Sequence, residues 1–553
     1  MMRKLIYIFT AVICLAGCID NDLPYPVVVP HITSMSVDGA ENVSIDYDNQ
    51  VVTAVFPETK DLRAVSILSV EIDEAIAVPS IDLIAVHDLT SPLKFNIRTY
   101  ADYMWSVVGV RNVERYFTVE GQVGSSFIDP VNCRAIAMVG KDVDITDIKV
   151  TSLKLGPRGL SSYSADYVKM KDFTHGVSVD VTAFDVTETW NLYVEVTESS
   201  VDISKVNPWA YEVYVTSVGV AGKDNGFRYR LKGENAWIEV DDSDVTSDGG
   251  TFVAHIRGLV PETVYEVQAY CEDELSQIFE FQTEAADLLP NGSFEYASKV
   301  AGKDYYKFYD PSCGIEDGMH MFWGSGNGEG SEGVNGSANL GIVITYIDTE
   351  EKVDGKQSVR AQTSQMAGML AAGNLFTGQF AGLVGTSGGK VNFGRPWTSR
   401  PSALKLYCKY VTGSMDIINS APPGVTLTKD DHDRAQVKIA LGTWNHKTYG
   451  GTPESPVHIN TTDASTFVDF TTDPSTVADG NLIIHHDGYI LNGQGKVTAS
   501  TEEWIEYIIP LNYHTLETTP THIIISCAAS QYGDYFTGCS SSKLWIDAAE
   551  LVY

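Results

Sequence analysis

Val177-Ser178-Val179-Asp180-Val181 and, shortly after it, Leu192-Tyr193-Val194-Glu195-Val196 decide the fold of this chain. Apolar side chains recur at every second position, the period of an extended strand with one buried and one wetted face. An amphipathic helix would space them three and four apart, and between residues 31 and 285 no convincing run of that kind occurs. Short alternating segments follow one another there, separated by Gly, Pro, Asn and Asp, which reads as a succession of β-sandwiches.

The same stretch is half of an internal repeat. The segment 61–72 corresponds, 83 positions later, to 144–155; Phe95-Asn96-Ile97 answers Val179-Asp180-Val181 at an offset of 84, and Trp105 answers Trp190 at 85. Two tandem copies of one Ig-like sandwich, 31–112 and 113–203, explain the match. Chance agreement between two β-rich stretches is the alternative, since mostly apolar and β-branched positions agree. Trp105 and Trp190 are expected in the cores of these copies.

At 553 residues the chain far exceeds the roughly 250–300 at which one core stops growing, so several domains are expected. A net charge of −34, with no basic stripe, repels nucleic acid and anionic lipid and disfavours phosphate-backbone binding. None of the eight cysteines forms a C-x-x-C pair, which argues against a zinc ribbon or a dithiol redox site. Cys527 and Cys539 either bridge in an oxidising compartment or are two separate buried thiols.

At the start, Arg3-Lys4 precede an apolar run from Leu5 to Leu15 that closes with Ala16-Gly17-Cys18. The run is too short to span a hydrocarbon core of about 30 Å and reads as an export signal over 1–17. Its ending resembles the bacterial lipobox. That resemblance implies lipidation of Cys18 and an outer membrane lipoprotein whose membrane contact is the lipid alone; the proline-rich stretch over 18–30 reads as a short, stiff linker. Asp20 and Asp22 resemble surface-export tags, so cell-surface exposure is expected. An ordinary secretory signal with an incidental Cys18 is the alternative.

The third segment, 204–285, resembles a fibronectin type III domain through Trp209, Leu259 and Tyr265, which the resemblance places in one core, the tyrosine forming a corner with upstream backbone. From Leu288 onward the composition shifts to Gly, Ser, Thr and aromatics. Asn291-Gly292-Ser293-Phe294-Glu295, Asp354-Gly355 and Leu544-Trp545-Ile546-Asp547 resemble strands of jelly-roll carbohydrate-binding modules. Phe322–Asn327, Leu375–Phe380, Phe393–Pro401 and Ser530–Gly538 resemble the putative carbohydrate metabolism domain family, with Cys539 standing where a glycine is expected. The expected fold is therefore all-β: tandem Ig-like and fibronectin type III-like sandwiches, then a larger jelly roll over 286–553.

Sugars are held by flat aromatic faces with polar side chains on their hydroxyls. Trp323 and Trp397, in Gly- and Pro-rich stretches, and Arg395 are the expected glycan contacts; loop indoles plugging a sandwich end are the alternative. The jelly-roll resemblance implies a structural calcium between Glu295 and Asp547, unless Asp547 ends a strand and bonds backbone. Asp430–Asp433 and His485–Gly488 read as charged turns, since neither spacing gathers three ligands. Glycoside hydrolysis needs two carboxylates about 5–10 Å apart; Glu295, Glu329, Asp534 and Asp547 are candidates that sequence cannot pair. No catalytic residue is assigned. The resulting expectation is a surface-anchored, non-catalytic lipoprotein that binds polysaccharide or host glycan through its C-terminal domain. A glycoside hydrolase or other carbohydrate-active enzyme, and an adhesive protein binding a protein partner, are the alternatives.

Overall fold

The computed structural model describes residues 27–308, 322–328, 336–366, 368–385, 387–485, 489–491, 495–496 and 502–553; the leader with Cys18, and Cys313, Glu329 and His486–Gly488, lie outside them. Among the described residues strands dominate, and no helix is long and apolar enough to cross a membrane.

The alternating stretch becomes a hairpin, Val177–Ala183 against Val186–Thr197, which buries Val179, Val181, Trp190, Leu192 and Val194 in one core. Its two-residue turn, Phe184-Asp185, is left-handed at both positions (φ 51° and 62°), the geometry that continues the twist of the flanking strands. In this unit the larger sheet runs Gln122–Asp129, Arg134–Gly140, Val186–Thr197, Val177–Ala183, Ser162–Tyr163, with the second and third strands parallel. The preceding unit has the same order: Asn42–Asp46, Val51–Pro57, Asp102–Asn112, Leu93–Arg98, Val78–Pro79, again parallel at the second and third. Trp105 and Trp190 are fully buried in their respective cores.

The third unit packs Asp202–Pro208, Glu212–Val218, Thr251–Arg257 and Val245–Asp248 over a second sheet centred on Asn225–Leu231 and Val264–Cys271. Leu259 and Tyr265 lie in its core, and the Tyr265 hydroxyl accepts the Val260 N–H at 3.0 Å. Trp209 departs from the expectation. It lies outside that core, packed on Tyr513 (4.8 Å between ring centroids) and beneath the Arg400 guanidinium at 4.4 Å. Both partners belong to the C-terminal domain, so this indole serves an interface between domains.

The C-terminal domain is a sandwich of two antiparallel sheets. The larger runs Val457–Asn460, Gly388–Phe393, Asn374–Val384, His522–Ala528, Arg434–Gly442, Thr476–His485. The smaller runs Thr345–Asp348, Ser358–Gln362, Lys543–Val552, Ala403–Val411, Ile505–Pro510. Between them lies one large core that includes Leu404, Leu406, Val437, Ile439, Ile523, Ile525, Leu544 and Ile546. Cys408 and Cys527 are buried in it as free thiols, and burial pushes both well above the ordinary thiol range. Cys539 is also a free buried thiol, so Cys527 and Cys539 do not bridge.

Candidate functional site

The structure encloses the three expected glycan contacts. Trp323 is 1% exposed and donates its indole N–H to the Pro290 carbonyl at 2.8 Å. Trp397 is 7% exposed, its indole N–H buried without a hydrogen-bond partner. Phe294, Phe322, Trp323 and Trp397 form a chain of edge-on rings, with Phe322 between the two indoles. Arg395, 2% exposed, donates to Ser455 Oγ and the Gly378 carbonyl. These residues close the sandwich and bolt a strand to a loop; a sugar ring has no access to their faces.

Glu295 and Asp547 do come together at the loop 353–357. Glu295 accepts the Lys356 and Gln357 N–H groups, and Asp547 those of Val353, Asp354 and Ala548. Backbone donors face both carboxylates where a calcium ion would require oxygen ligands, and this pair caps a loop. Among the described residues no three His, Cys, Asp or Glu side chains gather as a metal set.

The acidic run before the strand Arg434–Gly442 divides into different roles. Asp431 caps a turn by accepting from Thr428 N–H and Oγ. Asp433 is 0% exposed, and its Oδ2 accepts from Ser530 Oγ (2.6 Å), Ser542 Oγ (2.9 Å) and the Cys539 N–H (2.8 Å). Burial raises its carboxyl, the hydrogen bonds partly offsetting this. This buried network ties the Ser530–Gly538 segment to the sheet.

What that segment positions is a recess of about 160 Å³ on the larger sheet. Segments far apart in sequence meet there: Gly326, Asn374 with Phe380, Val391, and Gly533, Asp534 and Phe536. All but Val391 lie in, or directly beside, three of the four stretches that carry the family resemblance. Phe536 supplies half-buried ring surface, Leu340, Ile342 and Leu383 aliphatic surface, and Asp534 a carboxylate, over a buried floor of Phe380, Leu370 and Ile344. Asp534 reaches solvent at the recess. Phe536 is held left-handed at φ 54° after the short turn Gly533–Tyr535, a strained conformation for a bulky residue. Gly388 keeps the wall open, because a Cβ there would lie 2.6 Å from Thr461 Oγ1. Asn374 Oδ1 accepts the Gly326 N–H at 2.8 Å and Thr461 Oγ1 the Gly389 N–H at 2.9 Å, fixing two polar groups of the lining. Asp534 was legible in the sequence among the candidate carboxylates, but the ring of Phe536 was not. The signal was available in the glycine-rich turn that carries Phe536.

Residues 293–552 match the family described as the putative carbohydrate metabolism domain. No curated protein matches the chain. Among solved structures it is similar to a putative glycoside hydrolase from Bacteroides thetaiotaomicron (18% identity, TM-score 0.28, covering 80% of this chain and 97% of that one). A putative glycoside hydrolase from Bacteroides vulgatus is also similar (21% identity, TM-score 0.30, 48% and 97%). So is a surface glycan-binding protein from Prevotella bryantii (11% identity, TM-score 0.21, 68% and 81%).

Proposed function

We propose, proceeding from the fact that the C-terminal domain belongs to the putative carbohydrate metabolism domain family, that this domain binds saccharide in the recess lined by Phe536 and Asp534 and performs no chemistry there. The observation that carries the reading is the lining itself. It pairs ring and aliphatic surface for the C–H face of a sugar with fixed polar groups at its rim, and among the described lining residues Asp534 is the one carboxylate. Hydrolysis of a glycosidic bond ordinarily takes two. The sandwiches ahead of the domain then act as a stalk. In this reading the lipid on Cys18 tethers the stalk to the outer membrane, and the recess meets polysaccharide or host glycan at the cell surface.

Isothermal titration of the full chain against a panel of neutral and acidic oligosaccharides tests it. Binding in the micromolar to millimolar range is expected, weakened tenfold or more by Phe536→Ala and by Asp534→Ala. Unchanged affinity in both variants would remove the recess as the site. The position of the Asp534 carboxyl on the recess supports a second reading, a hydrolase in which it donates the proton to the leaving oxygen. Cleavage of a panel member that vanishes in Asp534→Asn would establish that reading over the first.

A further inference from the structure

The loop 461–467 that walls the recess also walls a second cavity, of about 510 Å³, on its other side. Thr461 lines the first, while Ser465, Thr466 and Phe467 line the second. The two are joined by a ring pair: Tyr535, next to Phe536, meets Phe467 edge-on at 5.6 Å. The second cavity is completed by Tyr449, His458, Asp469, Thr472 and Asp473. Its volume lies within the range of about 300–1,000 Å³ typical of small-molecule sites.

Two hydrogen-bond networks hold its acceptors in place. His458 Nδ1 lies 2.7 Å from Asn392 Oδ1. An amide oxygen only accepts, so Nδ1 carries the proton and Nε2 presents a lone pair. Asp473 receives the Tyr449 hydroxyl at 2.8 Å, the Trp444 indole N–H at 3.1 Å and the Ser475 N–H at 3.0 Å. Asp469 accepts from the Thr471 N–H and from Thr472 Oγ1. The half-buried rings of Tyr449 and Phe467 rest on a satellite core around Trp444 and Ile459. No lysine or arginine lines the cavity. Burial, together with Lys390, lowers the His458 imidazole below its ordinary value.

Acceptors, hydroxyls and ring faces without a cation suit a ligand rich in O–H donors and without negative charge. We infer that this cavity is a second saccharide subsite for an uncharged sugar ring, placed so that one oligosaccharide crosses the Tyr535–Phe467 ridge and fills both subsites. The inference rests on the reading that the recess binds saccharide, and it adds the class: a neutral glycan several rings long.

Titration of the full chain with neutral gluco-, manno-, galacto- and xylo-hexaoses and their dimers, and with a hexagalacturonide, tests it. Affinity for a neutral hexaose is expected to fall tenfold or more in Asp469→Ala and in His458→Asn, with dimer binding at the recess unchanged; Phe536→Ala should weaken both. The His458 Nε2 nitrogen resonance should shift when the hexaose is added to the wild-type chain, a readout independent of any folding defect in the variants. Wild-type hexaose affinity in Asp469→Ala and His458→Asn with an unmoved resonance, while Phe536→Ala loses binding, would overturn the second subsite and leave the recess standing. Loss in Asp469→Ala and His458→Asn but not in Phe536→Ala would keep this subsite and remove the recess. A preference for the hexagalacturonide, or no binding of any neutral sugar, would overturn the inference.

Discussion

Asp433 carries the clearest consequence at the scale of single residues. Its carboxyl is raised in the fold by burial, so the native state keeps a proton that the unfolded chain, near its ordinary value of about 3.9, has already released. Its contribution to stability is therefore greatest below that value and is lost as pH rises through the native one. Asp433→Asn should flatten this part of the pH dependence, measured as urea midpoints from about pH 4 upward. An unchanged slope would mean the buried carboxyl does not titrate there. Trp323→Ala should cost about 3–5 kcal/mol in urea unfolding, as expected of a core indole; a loss under about 1 kcal/mol would contradict its enclosure. Sequence offered Trp323, Trp397 and Arg395 because loops rich in Gly and Pro look exposed. It could not show that Trp323–Gly324 and Arg395–Pro396 become short strands on the larger sheet, with all three side chains turned into the fold. Asp433 was equally hidden, since a buried carboxylate within an acidic run looks like any turn residue until Ser530 and Ser542 arrive from over ninety positions away.

Among elements, strands were the most legible because a period of two is a property of neighbouring residues. The offset near 84 between two alternating stretches has its counterpart in two sheets of identical strand order with the same parallel pair. Turns were less legible. Cys539 stands where glycine was expected, yet it is not among the left-handed residues, and its N–H is spent on Asp433. The position that does demand glycine is Gly538, where a Cβ would meet Asp433 Oδ2 at 2.8 Å and Ser530 Cβ at 2.9 Å. Gly538→Ala should cost about 1–3 kcal/mol and, through the turn that carries Phe536, weaken saccharide binding as well. Thermal melts and titration of the same variant check both halves. A variant with wild-type stability would show that the segment is held less tightly than described.

Across the whole molecule, Arg400 joins the third unit to the C-terminal domain. Its side chain, 2% exposed, reaches both oxygens of Glu284, the Pro208 and Leu516 carbonyls and Asn207, and covers Trp209. Truncating one partner of such a buried pair costs about 3–5 kcal/mol, so Arg400→Ala should split a shared calorimetric transition into two; a single unshifted transition would show that the domains are not coupled through it. Sequence placed Trp209 inside a core, because residues that meet across a domain boundary carry no local period. What the C-terminal domain does depends on where a sugar sits. A crystal of the full chain soaked with the tightest-binding neutral oligosaccharide measures that directly. Density for a ring against Phe536 with a hydroxyl on Asp534 is the predicted result, and a sugar ordered elsewhere on the C-terminal domain with that recess empty would contradict it.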